Sequence, residues 1–217
     1  MTNVHICDYG SGNILSVERA LEKVGARVVR CTSPDQLTDV SGLIIPGVGA
    51  FANCMRSLTE RGFAEPIRRL AASGIPVLGI CVGMQILATR SEEFGITEGL
   101  GIIPGTVKQI ADFAPDGARL KRPHVGWSQL RSAGQPWQES PLETVAEGSA
   151  VYFVHSFHFV PDDRRHLLAA VDYGGEPVVA AVRTERVFGV QFHPEKSGAT
   201  GLKFLDAFVR MTEASAA

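Results

Sequence analysis

Cys81 is the residue of this sequence that is best placed to act as a nucleophile. It follows a short apolar run, residues 75–80, typical of a strand buried on both faces, and precedes a helical pattern of apolar residues. Gly79 and Gly83 flank it in a Gly-x-Cys-x-Gly pattern. A tight turn from strand to helix requires such glycines because a Cβ there would meet the neighbouring backbone. The N–H groups and dipole of the following helix favour the thiolate, so the pattern predicts a sulfur nucleophile at the bend.

The other three cysteines are predicted to be buried, small apolar residues. Cys7, Cys31 and Cys54 lie in strand or helix patterns without flanking glycines, and a buried structural thiol is also the alternative interpretation of Cys81. We favour the reactive interpretation of Cys81 because open α/β sheets bind ligands at the carboxyl ends of their strands. The spacing of the four cysteines indicates neither a disulfide framework nor a structural zinc site, so we expect no metal.

A cysteine that cleaves an amide needs a proton carrier, since nitrogen leaves only when it is protonated, and histidine titrates in the right range. His193 ends the apolar segment 188–192 and is followed by Pro194 and Glu195. Proline restricts the residue before it to extended backbone. The side chains that flank Pro194 should therefore project in similar directions, with α-carbons roughly 6.6 Å apart. The sequence His-Pro-Glu predicts a preoriented pair of imidazole and carboxylate.

Other interpretations of the histidines remain open from the residues alone. His193 and Glu195 are alternatively a strand-end histidine and a solvated glutamate. His155 and His158 are competing bases, although no acidic residue lies near them in the sequence. The remaining histidines are interpreted as structural: His5, His124 and His166.

A glycine-rich loop, Gly47-Val48-Gly49, follows the third predicted strand. Such a loop can cradle a phosphate, but this one lacks the lysine of a P-loop and the full spacing of a dinucleotide fingerprint. Alternatively, its glycines let a backbone N–H point at an oxyanion, which needs no side chain.

The elements that must position these residues alternate between strand and helix over residues 1–90. Strands are predicted at 4–9, 26–31, 42–46 and 75–80, and helices at 14–24, 52–61, 65–72 and after Cys81, with Asn13 as an N-cap. This alternation indicates parallel pairing with helices on both faces. After Phe94 the closely spaced segments predict antiparallel hairpins. These segments are 101–110, 119–121, 151–160, 166–172, 178–183 and 187–192, and an amphipathic helix follows at 200–211.

The whole chain of 217 residues is long enough for a substantial core, and without a linker-like stretch we expect one domain, 1–217. A net charge of −2 gives no electrostatic reason to expect nucleic acid or an anionic membrane as the partner. The start lacks the pattern of a secretory signal, and no apolar run approaches the ~20 residues of a membrane span, so a cytoplasmic location is expected. The tail 214–217 is expected to fray.

Several motifs together resemble those of the class I, triad-type glutamine amidotransferases. GICVGMQ at 79–85 resembles the nucleophile block of that family, and HPE at 193–195 its second block. Within the family, the chain most closely resembles the glutaminase subunits of imidazole glycerol phosphate synthases. The supporting motifs are DYGSGN at 8–13, PGVGAF at 46–51, RPHVGW at 122–127, YFVHS at 152–156 and QFHPEKSG at 191–198.

The resemblance implies a three-layer α/β/α fold with a mixed, mainly parallel central sheet and antiparallel C-terminal strands. It implies that Cys81 attacks the side-chain amide of glutamine, that His193 moves the proton and that Glu195 orients His193. No cofactor is implied. Backbone N–H groups of Val82, Val48 and Gly49 would form the oxyanion hole, and the implied glutamine contacts are Gly49, Gln85, Ser156 and Phe157.

The resemblance also implies a partner, a (β/α)₈-barrel cyclase subunit that forms a heterodimer with the chain and receives the ammonia. The face of the chain that docks to this partner would include Asn13, Pro123, Trp127 and Lys196. From sequence alone, an equally good interpretation is that Trp127 is a packed aromatic residue and Lys196 a solvated charge. The chain departs from the family pattern at Ser128, where asparagine is usual, and at Phe157, where tyrosine is common.

Two other classes of function remain as alternatives. One is a related cysteine hydrolase, either the glutaminase subunit of another pathway or a γ-glutamyl hydrolase, in which we would not expect the PHVGW and DYGSGN motifs together. The other is a catalytically silent subunit that only binds a partner, which an intact triad argues against.

Overall fold

The computed structural model describes residues 3–213, so the tail predicted to fray lies outside the described residues. In chain order the strands are β1 Asn3–Cys7, β2 Arg27–Cys31, β3 Gly42–Gly47, β4 Val77–Cys81, β5 Arg90–Ser91, β6 Thr97–Glu98, β7 Gly105–Gln109, β8 His124–Gln129, β9 Arg131–Ser132, β10 Ala150–His155, β11 Phe157–Pro161, β12 Leu167–Tyr173, β13 Glu176–Thr184 and β14 Val187–Val190. The α-helices are α1 Ile14–Lys23, α2 Phe51–Glu60, α3 Ala64–Ala72, α4 Val82–Gln85 and α5 Gly198–Glu213.

The central sheet has eight strands in the order β2-β1-β3-β4-β14-β13-β12-β9. The first five run parallel, and β13, β12 and β9 extend the sheet with antiparallel pairs. The strands β3, β4 and β14 are buried at every residue. Their near-continuous apolar sequences suit strands covered on both faces, as the alternation predicts.

The connections of the sheet create an open crevice beside its centre. The chain passes from β1 to β2 on one side, whereas it passes from β3 to β4 on the other. Right-handed crossovers therefore place α1 on one face and α2 with α3 on the opposite face. The loops that follow β1 and β3 meet at this reversal of direction, where open α/β sheets bind their ligands.

The first and last helices largely follow the predicted apolar stripes. Ile14, Val17 and Leu21 of α1 are buried, and α1 contacts α5. Asn13 occupies the N-cap position, but its side chain makes no capping hydrogen bond. The predicted position of the N-cap is therefore confirmed, but the capping hydrogen bond expected of an asparagine side chain is absent. The backbone of Asn13, with φ −86° and ψ 59°, lies outside the extended region from which such side chains reach back.

The helix after Cys81 differs from the predicted amphipathic helix. The helix α4 is a single turn, and residues 82–88 are all buried. The segment 99–103 covers its end, because the N–H groups of Leu100 and Ile102 donate to the carbonyls of Ile86 and Leu87 at 2.8 and 3.0 Å. These bonds replace the solvent that an amphipathic helix would face.

The strands after Phe94 were predicted only in part. The expected strand at 119–121 is reduced to an isolated bridge between Phe113 and Arg119, and β8 was not predicted. The expected strand 151–160 breaks at Ser156, since β10 pairs with β8 while β11 joins a second sheet in the order β11-β7-β5-β6. The expected antiparallel pairing of the last strand is wrong on one side, because β14 pairs with β4 in parallel.

Within residues 3–213, no helix has the length and apolar character needed to cross a membrane.

Candidate active site

Cys81 lies at a strained bend between β4 and α4. Its φ of 56° and ψ of −113° place it in a region that non-glycine residues rarely adopt. A Cβ on Gly79 would lie 2.4 Å from the carbonyl oxygen of Gly83, and a Cβ on Gly83 would lie 1.7 Å from that of Ile45. The Gly-x-Cys-x-Gly pattern is thus required by the close approach of three backbone segments. Strain of this kind costs about 1–3 kcal/mol and is typical of functional sites.

The neighbours of β4 bring the other candidate residues to the same edge of the sheet. Gly47 at the end of β3 is the register partner of Cys81, and Val190 at the end of β14 is the partner of Ile80. The segments that leave β3 and β14 therefore carry the glycine-rich loop and His193 toward the sulfur.

His193 and Glu195 form a buried pair. The Nδ1 atom of His193 lies 2.9 Å from Oε1 of Glu195, and their side chains are 3% and 1% exposed. His193 has extended backbone before Pro194, as predicted. The Nε2 atom of His193 is buried and has no hydrogen-bond partner among the described residues. The ring thus has one nitrogen held by the carboxylate and the other free for chemistry.

The pKa of His193 is set by opposing effects. Burial lowers the pKa, but the Cys81 sulfur and the Glu195 carboxylate together outweigh burial and raise it to about 9. His193 therefore carries a proton at neutral pH, which suits a thiolate and imidazolium pair.

A cavity of about 310 Å³ opens onto these groups, and its lining includes Cys81, His193 and Gln85. A larger, open groove of about 750 Å³ is lined by residues 119–123 and Tyr173 and contains none of the predicted catalytic residues. The smaller cavity is therefore the candidate active site.

The predicted oxyanion donors differ in whether their N–H groups already have a hydrogen-bond acceptor. Val82 is the first residue of α4, so its N–H has no acceptor within the helix and lies next to Cys81. The N–H of Val48 instead donates to Oγ of Ser11 at 3.3 Å, while that hydroxyl donates to the Val48 carbonyl at 2.7 Å. Gly49, with φ 94°, lines the cavity. In this structure the Val48 N–H is engaged by the protein.

Comparison with known proteins identifies the family. The family model for glutamine amidotransferase class-I matches residues 5–211. Imidazole glycerol phosphate synthase subunit HisH 1 of Legionella pneumophila (strain Lens) is 43% identical over 213 residues, covering 97% of this chain and 100% of the relative. Subunit HisH of Geobacter sulfurreducens is 44% identical over 212 residues, with the same two coverages of 97% and 100%. The chain belongs to the HisH family of class-I glutamine amidotransferases.

Solved structures share the fold of this HisH-family chain at lower identity. A crystal structure of a glutamine amidotransferase superposes with a TM-score of 0.73 at 18% identity, covering 97% of this chain and 98% of the other. The structure of PurLQS from Thermotoga maritima has a TM-score of 0.73 at 20% identity, with coverages of 96% and 98%. These likenesses confirm the α/β fold of the class I glutamine amidotransferases that the resemblance implied.

The residues of this HisH-family chain that were predicted to hold glutamine surround the cavity. Gly49, Gln85, Ser156 and Phe157 all line it. Nε2 of Gln85 donates to the carbonyl oxygen of Phe157 at 2.9 Å and to Oε1 of Gln191 at 3.0 Å. The amide nitrogen of Gln85 is therefore already used within the protein.

Three of the four predicted docking residues lie at or near the mouth of the cavity: Pro123, Trp127 and Lys196. Pro123 and Lys196 line the cavity, and Trp127 is 57% exposed, so Trp127 is not a packed core aromatic. Trp127 and Lys196 both contact the ring of Tyr152, with centroid distances of 6.0 Å. Asn13 is partly exposed at the start of α1.

The pairing of β8 with β10 places Val125 opposite Val154 and Trp127 opposite Tyr152, on one face of the pair. We call the surface formed by these strands and the cavity rim the mouth face: Pro123, Val125, Trp127, Val154 and Lys196.

The competing histidines are unsuited to act as bases. The Nδ1 atom of His155 lies 2.9 Å from the Phe157 carbonyl and its Nε2 lies 3.1 Å from Nδ1 of His124. Burial lowers the pKa of His155 to about 3 and that of His158 to about 4. Neither accepts a proton near neutral pH. The other cysteines are buried, and burial raises the pKa of Cys7, Cys31 and Cys54, as expected for structural thiols.

Two residues at the site were missed by sequence reasoning. Nε2 of Gln191 lies 3.6 Å from the Cys81 sulfur, and Oε2 of Glu93 accepts the N–H of Phe51 at 2.6 Å while Glu93 lines the cavity. The sequence does contain a signal for Gln191: it lies two residues before His193, and alternate residues of an extended segment share a face. The loop that carries Glu93 has no pattern from which its position could be predicted.

Proposed function

We propose that the chain hydrolyses glutamine to glutamate and ammonia, with Cys81 as the nucleophile. The observation that supports this most directly is the buried His193–Glu195 pair, whose Nε2 atom has no hydrogen-bond partner among the described residues. His193 lines the same cavity as Cys81, which lies at a strained bend. An imidazole held by a carboxylate beside an activated thiol is the arrangement that acyl transfer requires.

In the proposed mechanism the Cys81 thiolate attacks the side-chain carbonyl carbon of glutamine, and a carbon–sulfur bond forms. The N–H of Val82 stabilises the oxyanion, with the glycine-rich loop as a second donor after its Val48 N–H leaves Ser11. Protonated His193 gives its proton to the departing nitrogen, the carbon–nitrogen bond breaks, and ammonia leaves. Neutral His193 then accepts a proton from water, which attacks the thioester and releases glutamate. Glu195 keeps a proton on Nδ1 throughout.

We further propose that the ammonia passes to a (β/α)₈-barrel cyclase subunit, which uses it to make imidazole glycerol phosphate and an aminoimidazole carboxamide ribotide in histidine biosynthesis. The relatives of this chain are named as subunits of imidazole glycerol phosphate synthase. The exposure of apolar side chains around the cavity supports docking there: Val48 is 44% exposed, Val125 55% and Trp127 57%. The proposed docking residues are Asn13, Pro123, Trp127 and Lys196.

This proposal treats 1–217 as one domain that acts in the cytoplasm. The continuity of the central sheet, to which strands from β1 to β14 contribute, supports the assignment of one domain.

The experiment that tests the proposal compares the wild-type complex with a Cys81→Ala complex, each co-purified with the barrel partner. We expect Cys81→Ala to abolish synthesis from glutamine while synthesis from added ammonium salt survives, because the partner's chemistry needs only ammonia. A matched control, Cys31→Ala, changes a buried cysteine of β2 and should retain both activities. Loss of both activities in a folded Cys81→Ala complex, or retained glutamine-dependent synthesis, contradicts the proposal.

A further inference from the structure

Gln191 is a buried amide in contact with the nucleophile. Its side chain is 0% exposed, and its Nε2 lies 3.6 Å from the Cys81 sulfur. An N–H group that points at sulfur favours the thiolate over the thiol, and the absence of water strengthens such a bond.

The direction of this amide is determined by its neighbours. The carbonyl oxygen of Phe157 can only accept a hydrogen bond, so the atom of Gln85 that meets it at 2.9 Å must be Nε2. The second hydrogen of that Nε2 is directed to Gln191, whose nearer atom, at 3.0 Å, must then be the acceptor Oε1. With Oε1 facing Gln85, Nε2 of Gln191 is left to face Cys81.

The carbonyl oxygen of Phe157 accepts a second hydrogen bond, from His155, besides the one from Gln85. Nδ1 of His155 lies 2.9 Å from this oxygen, and Nε2 of His155 lies 3.1 Å from Nδ1 of His124. Since the Phe157 carbonyl cannot donate, His155 carries its proton on Nδ1 and donates to it. The acceptor that orients Gln85 therefore has a fixed position.

We propose that Gln191 is a positioning residue that holds the Cys81 sulfur as a thiolate directed at the cavity, and that Gln85 sets the direction of the Gln191 amide. This inference deepens the proposed function and rests on it. Gln85 then acts on the reaction through Gln191 in addition to lining the glutamine cavity.

The first test measures the rate at which iodoacetamide alkylates Cys81 in the full chain as a function of pH, a reaction that needs no glutamine and no partner. Gln191→Met keeps the length of the side chain but removes the donor, so we expect the midpoint of the profile to move up by about one pH unit. Gln191→Glu has the shape of glutamine and replaces the donor with an acceptor, so its midpoint should move at least as far. Gln191→Glu also keeps the test available if Gln191→Met does not fold.

Controls separate this effect from general damage. Thr212→Val removes another buried hydrogen-bonding group, which donates to the Val209 carbonyl at 2.6 Å away from the cavity, and should leave the profile unchanged. Cys81→Ala gives the background from other thiols. The groups that titrate around the sulfur are Glu93, His155, His193 and Lys196 on the cavity and nearby Cys54. All are common to wild type and Gln191→Met, so the difference between these two profiles reports the amide, whereas Gln191→Glu adds a carboxyl group that itself titrates.

The second test examines the role of Gln85. Gln85→Leu leaves Gln191 in place but frees its amide to rotate, so it should shift the alkylation profile in the same direction as Gln191→Met. The double variant should match Gln191→Met alone, because both changes act through one amide. Additive shifts, or an unshifted Gln85→Leu profile, would overturn the role given to Gln85.

Glutaminase kinetics of the complex provide a second readout. Gln191→Met should lower kcat about tenfold with KM within about twofold of wild type, since the lost bond stabilises the nucleophile and not bound glutamine. An unshifted alkylation profile in folded Gln191→Met overturns the role of Gln191 whatever the glutaminase result. If the wild-type complex shows no glutaminase activity, the proposed function fails, while the alkylation profile still decides the contact between Gln191 and Cys81.

Discussion

The charge on His193 depends on two neighbours that act against burial. Burial favours the neutral ring, whereas the Cys81 sulfur and the Glu195 carboxylate favour the protonated ring, and the result is a pKa of about 9. Because this value lies above the ordinary 6.5, the protonated pair stabilises the fold fully below about pH 6.5. That contribution is lost as the pH rises through about 9.

We predict that Cys81→Ser lowers the pKa of His193 from about 9 toward its ordinary value, because a hydroxyl at this position stays neutral. The titration of the His193 ring, followed by NMR of histidine-labelled protein, measures this shift. Cys31→Ser, a change of a buried cysteine in β2, is the matched control and should leave the titration unchanged. An equal midpoint in wild type and Cys81→Ser would show that the sulfur does not influence the ring.

The bend between β4 and α4 can form only because Gly83 has no side chain. The carbonyl oxygen of Ile45 occupies the place that a Cβ on Gly83 would take, at 1.7 Å. Backbone atoms of a central strand cannot move aside as a flexible side chain can. The packing of β3 against α4 therefore has room only for glycine.

We predict that Gly83→Ala destabilises the protein by about 3 kcal/mol or more, or prevents folding, because it forces β3 and α4 apart. Gly25→Ala is the matched control: Gly25 has φ 85° but open space within 4 Å, so only backbone strain of about 1–2 kcal/mol is expected. Urea unfolding followed by circular dichroism measures both. Comparable losses in the two variants would refute the steric explanation for Gly83.

The elements that were predicted correctly are those whose signal is local. The buried strands β3 and β4 and the stripe of α1 each follow from the apolar pattern of a single segment. The parallel pairing of β14 and the single turn of α4 depend instead on distant partners, β4 and the segment 99–103. No local pattern specifies such partners.

The same distinction applies to the candidate site. The glycines around Cys81 and the proline between His193 and Glu195 restrict the backbone locally, so the elbow geometry and the imidazole–carboxylate contact were predictable. The bond between Ser11 and Val48 joins residues 37 positions apart, and the contact between Gln191 and Cys81 spans 110. These contacts exist only because the fold brings the ends of four strands together: β1, β3, β4 and β14.

At the scale of the whole molecule, the candidate site at one end of the central sheet lies beside the mouth face, most of which belongs to the separate pair of strands β8 and β10. The strands β8 and β10 carry Trp127 beside the cavity whose lining includes Cys81. An exposed tryptophan at the rim of an active site is the kind of residue that dominates the free energy of a protein–protein interface. The proposed barrel partner would therefore dock where ammonia leaves the cavity.

We predict that Trp127→Ala weakens binding of the barrel partner by about 30-fold or more, the effect of losing an anchor worth about 2 kcal/mol. The fold should tolerate the change, because the indole is 57% exposed and its aromatic contact is the edge of Tyr152. Isothermal titration calorimetry measures the Kd. Ile96→Ala is the control: this 65% exposed residue precedes β6, the far edge strand of the second sheet, and should leave the Kd unchanged. If Trp127→Ala binds the barrel partner as tightly as wild type does, the partner docks elsewhere, and the ammonia would have to leave the cavity by a route that the mouth face does not cover.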